Sequence, residues 1–225
     1  MAIAFDATTT TGQVTGDNRF THTPVGTPKG ALVYIVINGL VGTVSGVTYG
    51  GVAMAETANS PASNTTGELG GSHCFFLGSG LPTGAQTVAV DMLLGTEVNI
   101  VGCITVTAAN DTSVVTTAKV ESNNTTTTTA TLSLGGVSSF CATGFWTGLN
   151  AVTSFAPLTS WTGSTETDFG AQCGGIYTYD IIGTTDVSGG YSNTGGDDCA
   201  MHTIAIRENA GAAATVYQLA ALGVG

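Results

Sequence analysis

The chain has 225 residues, of which 42% are hydrophobic, and this is enough to build a buried core and excludes a globally disordered protein. Only 8% of the residues are charged, and lysine and arginine total 4 against 15 aspartates and glutamates. The resulting net charge of -11 would repel nucleic-acid phosphates and anionic membrane surfaces, so we expect neither as a partner.

The beginning of the chain, residues 1–6, has neither the basic segment nor the apolar segment of a secretory signal peptide. No apolar run approaches the ~20 residues that a membrane-spanning helix needs. We therefore expect the chain to fold in the cytosol of the cell that produces it.

Short apolar or alternating runs, separated by Gly, Asn, Asp and Pro, dominate the first half of the chain and are typical of a β-sandwich or barrel. The run 31–37 is continuously apolar and predicts a central strand that is buried on both faces. The other strands predicted in this half are, in chain order, 3–5, 19–23, 44–49, 51–54, 73–77, 86–91 and 98–107.

The second half has the same character. Its predicted strands are 113–120, 128–134, 138–146, 174–182 and 201–206. The threonine-rich segment 123–129 predicts an exposed edge strand or hairpin arm, because threonine favours strands and can be wetted on both sides. Long helical periodicity is absent. The sequence thus predicts an all-β fold, a single antiparallel β-sandwich of jelly-roll type.

The sandwich is predicted over residues 1–208, and a C-terminal arm over residues 209–225. The arm is apolar and nearly uncharged, unlike the rest of the chain. An apolar arm left in water would promote aggregation. We expect it to pack along its own sandwich or on a neighbouring subunit, with the neighbour favoured.

Five cysteines occur at wide, irregular spacings and without a CxxC or Cys/His cluster that would indicate zinc. They are Cys74, Cys103, Cys141, Cys173 and Cys199. We interpret them as buried thiols that pack as small hydrophobic groups. The alternative is a disulfide formed after release into an oxidising medium.

The sequence offers no set of catalytic residues, so we predict that the chain is not an enzyme. No GxSxG motif occurs, and His22, His73 and His202 each lie inside an alternating run, where a structural histidine is expected. Glu166 and Asp168 resemble the paired carboxylates of sandwich glucanases, but a third acid is missing and the pair falls in a predicted loop. A glycosidase is therefore only the third hypothesis for function.

Two weaker binding features remain. Asp197 and Asp198 end a predicted loop rich in oxygen ligands, which suits calcium, although the spacing is not that of an EF-hand; no other cofactor is predicted. Trp161 and Tyr191 lie in predicted loops and could stack on a sugar, whereas Trp146 follows an apolar strand and is expected in the core.

Several segments of the chain together resemble a known family. They are IAFDA at 3–7, FTHT at 20–23, ALVYIV at 31–36, VSGVTYGGVAM at 44–54, and the closing AMHTIAIR at 200–207. This set resembles the jelly-roll domains found in tailed-phage virion proteins and in some bacterial surface proteins. The arm after residue 209 and the five cysteines depart from the pattern.

The resemblance implies a capsid decoration protein, a head fibre or a tail-fibre component, often trimeric and without catalytic residues. We therefore expect a non-enzymatic virion structural protein that contacts the major capsid protein or other virion proteins and forms a homo-oligomer, with a trimer favoured. Its expected location is the virion surface, after assembly in the host cytoplasm. The alternative is a carbohydrate-binding receptor-recognition module of a phage fibre or bacterial surface protein.

Overall fold

A computed structural model describes residues 3–39, 44–148, 156–158, 162–168, 173–180 and 186–210 of the chain. Every regular element in these ranges is a β-strand, so the prediction of an all-β antiparallel sandwich is confirmed. The strands are, in chain order, β1 (Ala4–Thr10), β2 (Val14–Thr15), β3 (Asn18–His22), β4 (Gly30–Asn38), β5 (Val44–Tyr49), β6 (Val52–Ala53), β7 (Ala55–Glu56), β8 (Ala62–Asn64), β9 (Gly70–Leu77), β10 (Gln86–Met92), β11 (Val98–Thr107), β12 (Thr112–Leu132), β13 (Phe140–Thr147), β14 (Ala156–Leu158), β15 (Thr162–Asp168), β16 (Cys173–Asp180) and β17 (Val187–Glu208). In the part of the chain that is described, no helix has the length and apolar character needed to span a membrane.

The described strands form three sheets. The central sheet has the order β1-β11-β4-β9-β7, with β2 paired to β11 and β8 paired to β9. The small sheet has the order β3-β10-β5-β6. The ribbon sheet has the order β12-β17-β13-β16-β15, with β14 paired to β17. The central sheet lies between the other two, because its two faces pack against different sheets.

Strand β4 shows how the central sheet supplies two cores. Every residue from 31 to 37 is fully buried, as the continuous apolar run predicts. Because successive side chains of a strand point to opposite faces, the odd-numbered residues 31–37 pack against the small sheet, for example with Val88 and Val90. The even-numbered residues 32–36 pack against the ribbon sheet, together with Phe140 and Ile204.

Strands β12 and β17 are the longest in the described chain, with 21 and 22 residues, and pair as a ribbon on both sides of a bulge at residues 193–196 of β17. The pairing shifts register near Asn124, whose φ of 54° lies in the left-handed region. Beyond this bend, Leu132 and Leu134 pack with Phe145 and Met201 in a third apolar cluster. The ribbon therefore folds back and covers apolar side chains that a flat sheet would leave in water.

Two segments predicted as loops are strands instead. Glu166 and Asp168 lie in β15, and segment 188–198, which contains Tyr191, forms the first half of β17. Glycine pairs in the second segment indicated turns, but antiparallel pairing with β12 organises it as a strand. Segment 123–129 lies in β12 at the edge of the ribbon sheet, as predicted. The predicted arm lies outside the described residues from 211 onward.

Candidate functional site

All three histidines are buried, and two of them are hydrogen-bonded through both ring nitrogens to neighbouring groups of the chain. His22 is fully buried, and its Nδ1 and Nε2 atoms each lie 3.0 Å from a threonine hydroxyl, that of Thr9 and that of Thr105. The Thr105 hydroxyl donates to the Asp6 carboxylate at 2.9 Å. This chain of hydrogen bonds joins β3 to the central sheet. A substrate cannot reach the His22 ring through it, because Thr105 is also fully buried.

His202 lies between the central and ribbon sheets. Its Nε2 atom is 3.0 Å from the carbonyl oxygen of Ala58 and 3.2 Å from the Thr57 hydroxyl, so the proton of the neutral ring is assigned to Nε2. Burial lowers the pKa of His202 to about 4, and the hydrogen bond to Ala58 offsets only part of that shift. The ring is therefore neutral near pH 7 and serves as a structural hydrogen-bonding group.

The third histidine pairs with a carboxylate near the surface. His73 Nδ1 lies 2.8 Å from Glu56 Oε1, and the same oxygen accepts a hydrogen bond from the Ser60 hydroxyl at 2.8 Å. The hydrogen bond with His73 is the main reason that the pKa of Glu56 lies below its ordinary value. The carboxylate sits between the serine and the histidine, whereas activation of a serine nucleophile requires the histidine in the middle. This trio therefore lacks the geometry of a hydrolase.

The described cysteine side chains are those of Cys74, Cys103, Cys141 and Cys199, and all four are free and buried, which confirms the buried-thiol interpretation for them. Burial raises the pKa of Cys74 and of Cys141 to about 12, which makes these thiols poor nucleophiles. The side chain of Cys173 lies outside the described residues. The described residues contain no group of three or more His, Cys, Asp and Glu that could hold a metal ion.

Of the residues predicted to bind calcium or a sugar, only the side chain of Asp198 is described. The Asp198 carboxylate accepts hydrogen bonds at 3.3 Å from the backbone N–H groups of Glu68 and Asn124, and so ties the loop before β9 and strand β12 to β17. The side chain of Tyr191 and the whole of Trp161 lie outside the described residues, as does the side chain of Asp197. The calcium and sugar-stacking sites stay predictions.

The clearest exposed apolar feature is the turn after β10, which sequence reasoning missed. Leu93 and Leu94 are 67% and 54% exposed, and we call this pair the leucine tip. The turn continues through Gly95, whose φ of 68° suits glycine. In the sequence these leucines follow an alternating strand and look like further core residues. The glycine directly after them is the signal that could have placed them in a turn.

Another exposed apolar residue lies far from the leucine tip. Val25, which is 88% exposed, follows β3, and the pairing of His22 with Gln86 puts it at the opposite end of β10 from the leucine tip. Polar contacts lie at the end of β10 that leads into the leucine tip: Asp91 forms an ion pair with Arg19, and the backbone N–H of Met92 donates to Asp17 at 2.8 Å.

Comparison with known proteins adds no family. No family model, curated protein or solved structure matches the chain. The described residues show two features that bear on function. Their histidines are hydrogen-bonded within the fold, and the leucine tip is exposed.

Proposed function

We propose that the chain is a non-enzymatic structural protein of a phage particle, a capsid decoration (cement) protein or a fibre subunit that acts through subunit contacts. Its partners under this proposal are the major capsid protein or other virion proteins, and further copies of itself. The sandwich fold and the resemblance of segments such as 31–36 and 44–54 to virion jelly-roll domains support it.

The leucine tip is the observation that carries the proposal. Burying a leucine side chain that was exposed to water contributes about 1.5 to 3 kcal/mol, so a neighbouring molecule that covers Leu93 and Leu94 would gain several times the thermal energy. An apolar centre with a polar rim is the usual anatomy of a protein interface, and here Arg19, Asp91 and Asp17 supply polar contacts at the end of β10 that leads into the tip. The tip thus suits contact with a protein surface.

The surface composition is compatible with many copies at high local concentration. The charged fraction is 8%, and Thr, Ser, Asn and Gly take the place of most charged residues. Such a surface is wetted through hydroxyl and amide groups. Assembly in the host cytoplasm and display on the virion surface complete the proposal.

The test is the mass of the purified protein in solution, measured by light scattering for the wild type and for a variant that carries both Leu93→Ser and Leu94→Ser. The wild type is expected to be a homo-oligomer, with a trimer favoured, and the double variant is expected to dissociate. Val25→Ser is the matched control, because Val25 is exposed at the opposite end, and it should keep the wild-type mass. A monomeric wild type, or a double variant with the wild-type mass, contradicts the proposal.

The sugar-binding alternative has no described observation in its favour at the residues first considered for it. Tyr191 lies in β17, where its backbone pairs with Thr128, and Trp161 lies outside the described residues. We therefore do not propose a second function from these aromatic residues.

A further inference from the structure

A polar pocket of about 290 Å³ opens where β8 of the central sheet approaches β12 of the ribbon sheet. Two segments that are far apart in the sequence form its walls. The lining residues are Ser63, Asn64, Thr65, Thr66, Glu121, Ser122 and Asn123. All of these side chains carry a hydroxyl, an amide or a carboxylate, and none is aromatic or aliphatic.

Hydrogen bonds join the two segments that form the pocket and fix their positions. Asn64, which is 3% exposed, donates from Nδ2 to the Ser122 carbonyl at 3.2 Å and to Asn123 Oδ1 at 2.6 Å. Its own Oδ1 accepts from the backbone N–H of Thr66 at 2.9 Å. The amide of Asn123 donates in turn to the Thr66 hydroxyl at 2.9 Å. These contacts fix the walls before any ligand arrives, which lowers the entropy cost of binding.

Glu121 supplies the pocket with one anchored carboxylate. Its Oε1 atom accepts hydrogen bonds from the Ser63 backbone N–H at 2.8 Å and from the Lys119 ammonium at 2.9 Å. Burial alone would raise the pKa of Glu121, but these partners outweigh burial and bring the pKa below its ordinary value. The group is therefore an ionised acceptor at neutral pH, and Lys119 balances its charge.

The lining decides which class of ligand fits. An apolar ligand would find no apolar wall among the described residues, and an anion would meet the carboxylate of a chain whose net charge is -11. A ligand with several hydroxyl groups can donate to Glu121 and exchange hydrogen bonds with the amide of Asn123 and the hydroxyl of Thr65. A volume near the lower end of the ~300 to 1,000 Å³ typical of small-molecule pockets suits one ring of such a ligand.

We propose that this pocket binds a single ring of a neutral saccharide, with Glu121 as the main acceptor of its hydroxyl hydrogens. This activity goes beyond the structural role proposed above. Because none of the described lining residues is aromatic, the affinity of one pocket is expected to be weak, with Kd on the order of 1 mM. Many copies on one particle would raise the apparent affinity by avidity.

The experiment is saturation-transfer NMR on the full chain with glucose, galactose, mannose and N-acetylglucosamine as probes. At least one sugar is expected to bind. Glu121→Gln keeps the oxygen that accepts from Ser63 but removes the charge, and it should weaken binding about tenfold or more. Thr65→Val removes one hydroxyl at constant shape and should weaken binding severalfold. Thr27→Val, at an exposed threonine of the loop before β4, is the matched control and should bind as the wild type does.

Three results would overturn the proposal. The first is no transfer to any of the four sugars. The second is equal binding by the wild type, Glu121→Gln and Thr65→Val, with thermal melting showing that all are folded. The third is displacement of the sugar by methylammonium, which would mark the pocket as a site for cations. The solution mass of the protein is measured separately, so failure of the saccharide site is distinguishable from failure of the structural role.

Discussion

The phenol oxygen of Tyr34 lies 3.3 Å from Nδ1 of His202, and the two residues belong to different sheets of the sandwich. The Tyr34 hydroxyl also donates to the carbonyl oxygen of Ala142 at 3.0 Å. Both side chains are fully buried. A polar contact inside an apolar core stabilises only the arrangement that satisfies it, so this pair sets how the central and ribbon sheets align.

The Tyr34 hydroxyl should therefore contribute measurably to stability. Tyr34→Phe is expected to reduce the free energy of unfolding by about 1 to 3 kcal/mol, because it removes the single hydroxyl proton that the buried Ala142 carbonyl and Nδ1 of His202 both face. Tyr49→Phe is the matched control: Tyr49 is fully buried as well, but its hydroxyl has no hydrogen-bond partner. Removing that hydroxyl should be neutral or stabilising. Urea denaturation compares the two, and equal losses would contradict this account.

The buried histidines make stability depend on pH. Burial lowers the pKa of His202 from 6.5 to about 4 and also lowers the pKa of His22. Between these values the folded chain binds fewer protons than the unfolded chain, so stability is fully present above 6.5 and falls as the pH decreases towards 4. The loss due to His202 is roughly 3 kcal/mol over that window.

Denaturation between about pH 7 and pH 5, where most carboxylates stay ionised, measures this dependence. The wild type should lose stability as the pH falls. His202→Gln should show a shallower slope, whatever its absolute stability, because the titrating group is gone. The same slope in both proteins would mean that His202 is not responsible.

Much of the sandwich follows from local patterns. The bounds of β5 and β11 agree with the predicted 44–49 and 98–107, since apolar spacing and flanking turn residues define both strands. The first half of β17 was not predictable, because its glycines indicate turns and only pairing with β12 makes it a strand. The strand propensity of segment 188–198 cannot indicate that it pairs with β12, which is distant in the sequence.

The candidate sites were harder to foresee. The polar pocket joins Ser63 to Glu121, which are 58 residues apart, and no spacing motif links such segments. The leucine tip has the composition of a core segment, and only the course of the chain after β10 exposes it. Trp146, by contrast, was predicted in the core and is fully buried, because it lies in β13, a mostly apolar strand in which every residue is buried.

Close packing around Gly70 gives a further prediction. A Cβ atom at this position would collide with the indole of Trp146, which is fully buried and has no free space to move into. Gly70→Ala is expected to cost about 3 kcal/mol or more. At Gly12 a Cβ atom meets nothing within 4 Å, so Gly12→Ala should change stability little. Thermal melting distinguishes them, and a tolerated Gly70→Ala would show that the packing described here is wrong.

The thiols should be protected in the folded protein. Cys74, Cys103, Cys141 and Cys199 are buried, so at most one thiol per chain, that of Cys173, is expected to react with a maleimide under native conditions. Cys173→Ser should then show no reaction, and all five thiols of the wild type should react in denaturant. Rapid labelling of two or more native thiols would contradict the burial. Fewer than five reactive thiols in denaturant would reveal a disulfide.

The central claim is that the chain is a structural component of a phage particle. Its most direct test is quantitative mass spectrometry of particles purified from lysed host cultures that carry the gene. The account predicts peptides of this chain in many copies per particle, at a constant ratio to the major capsid protein. Purified particles that contain the capsid protein but lack this chain would contradict it.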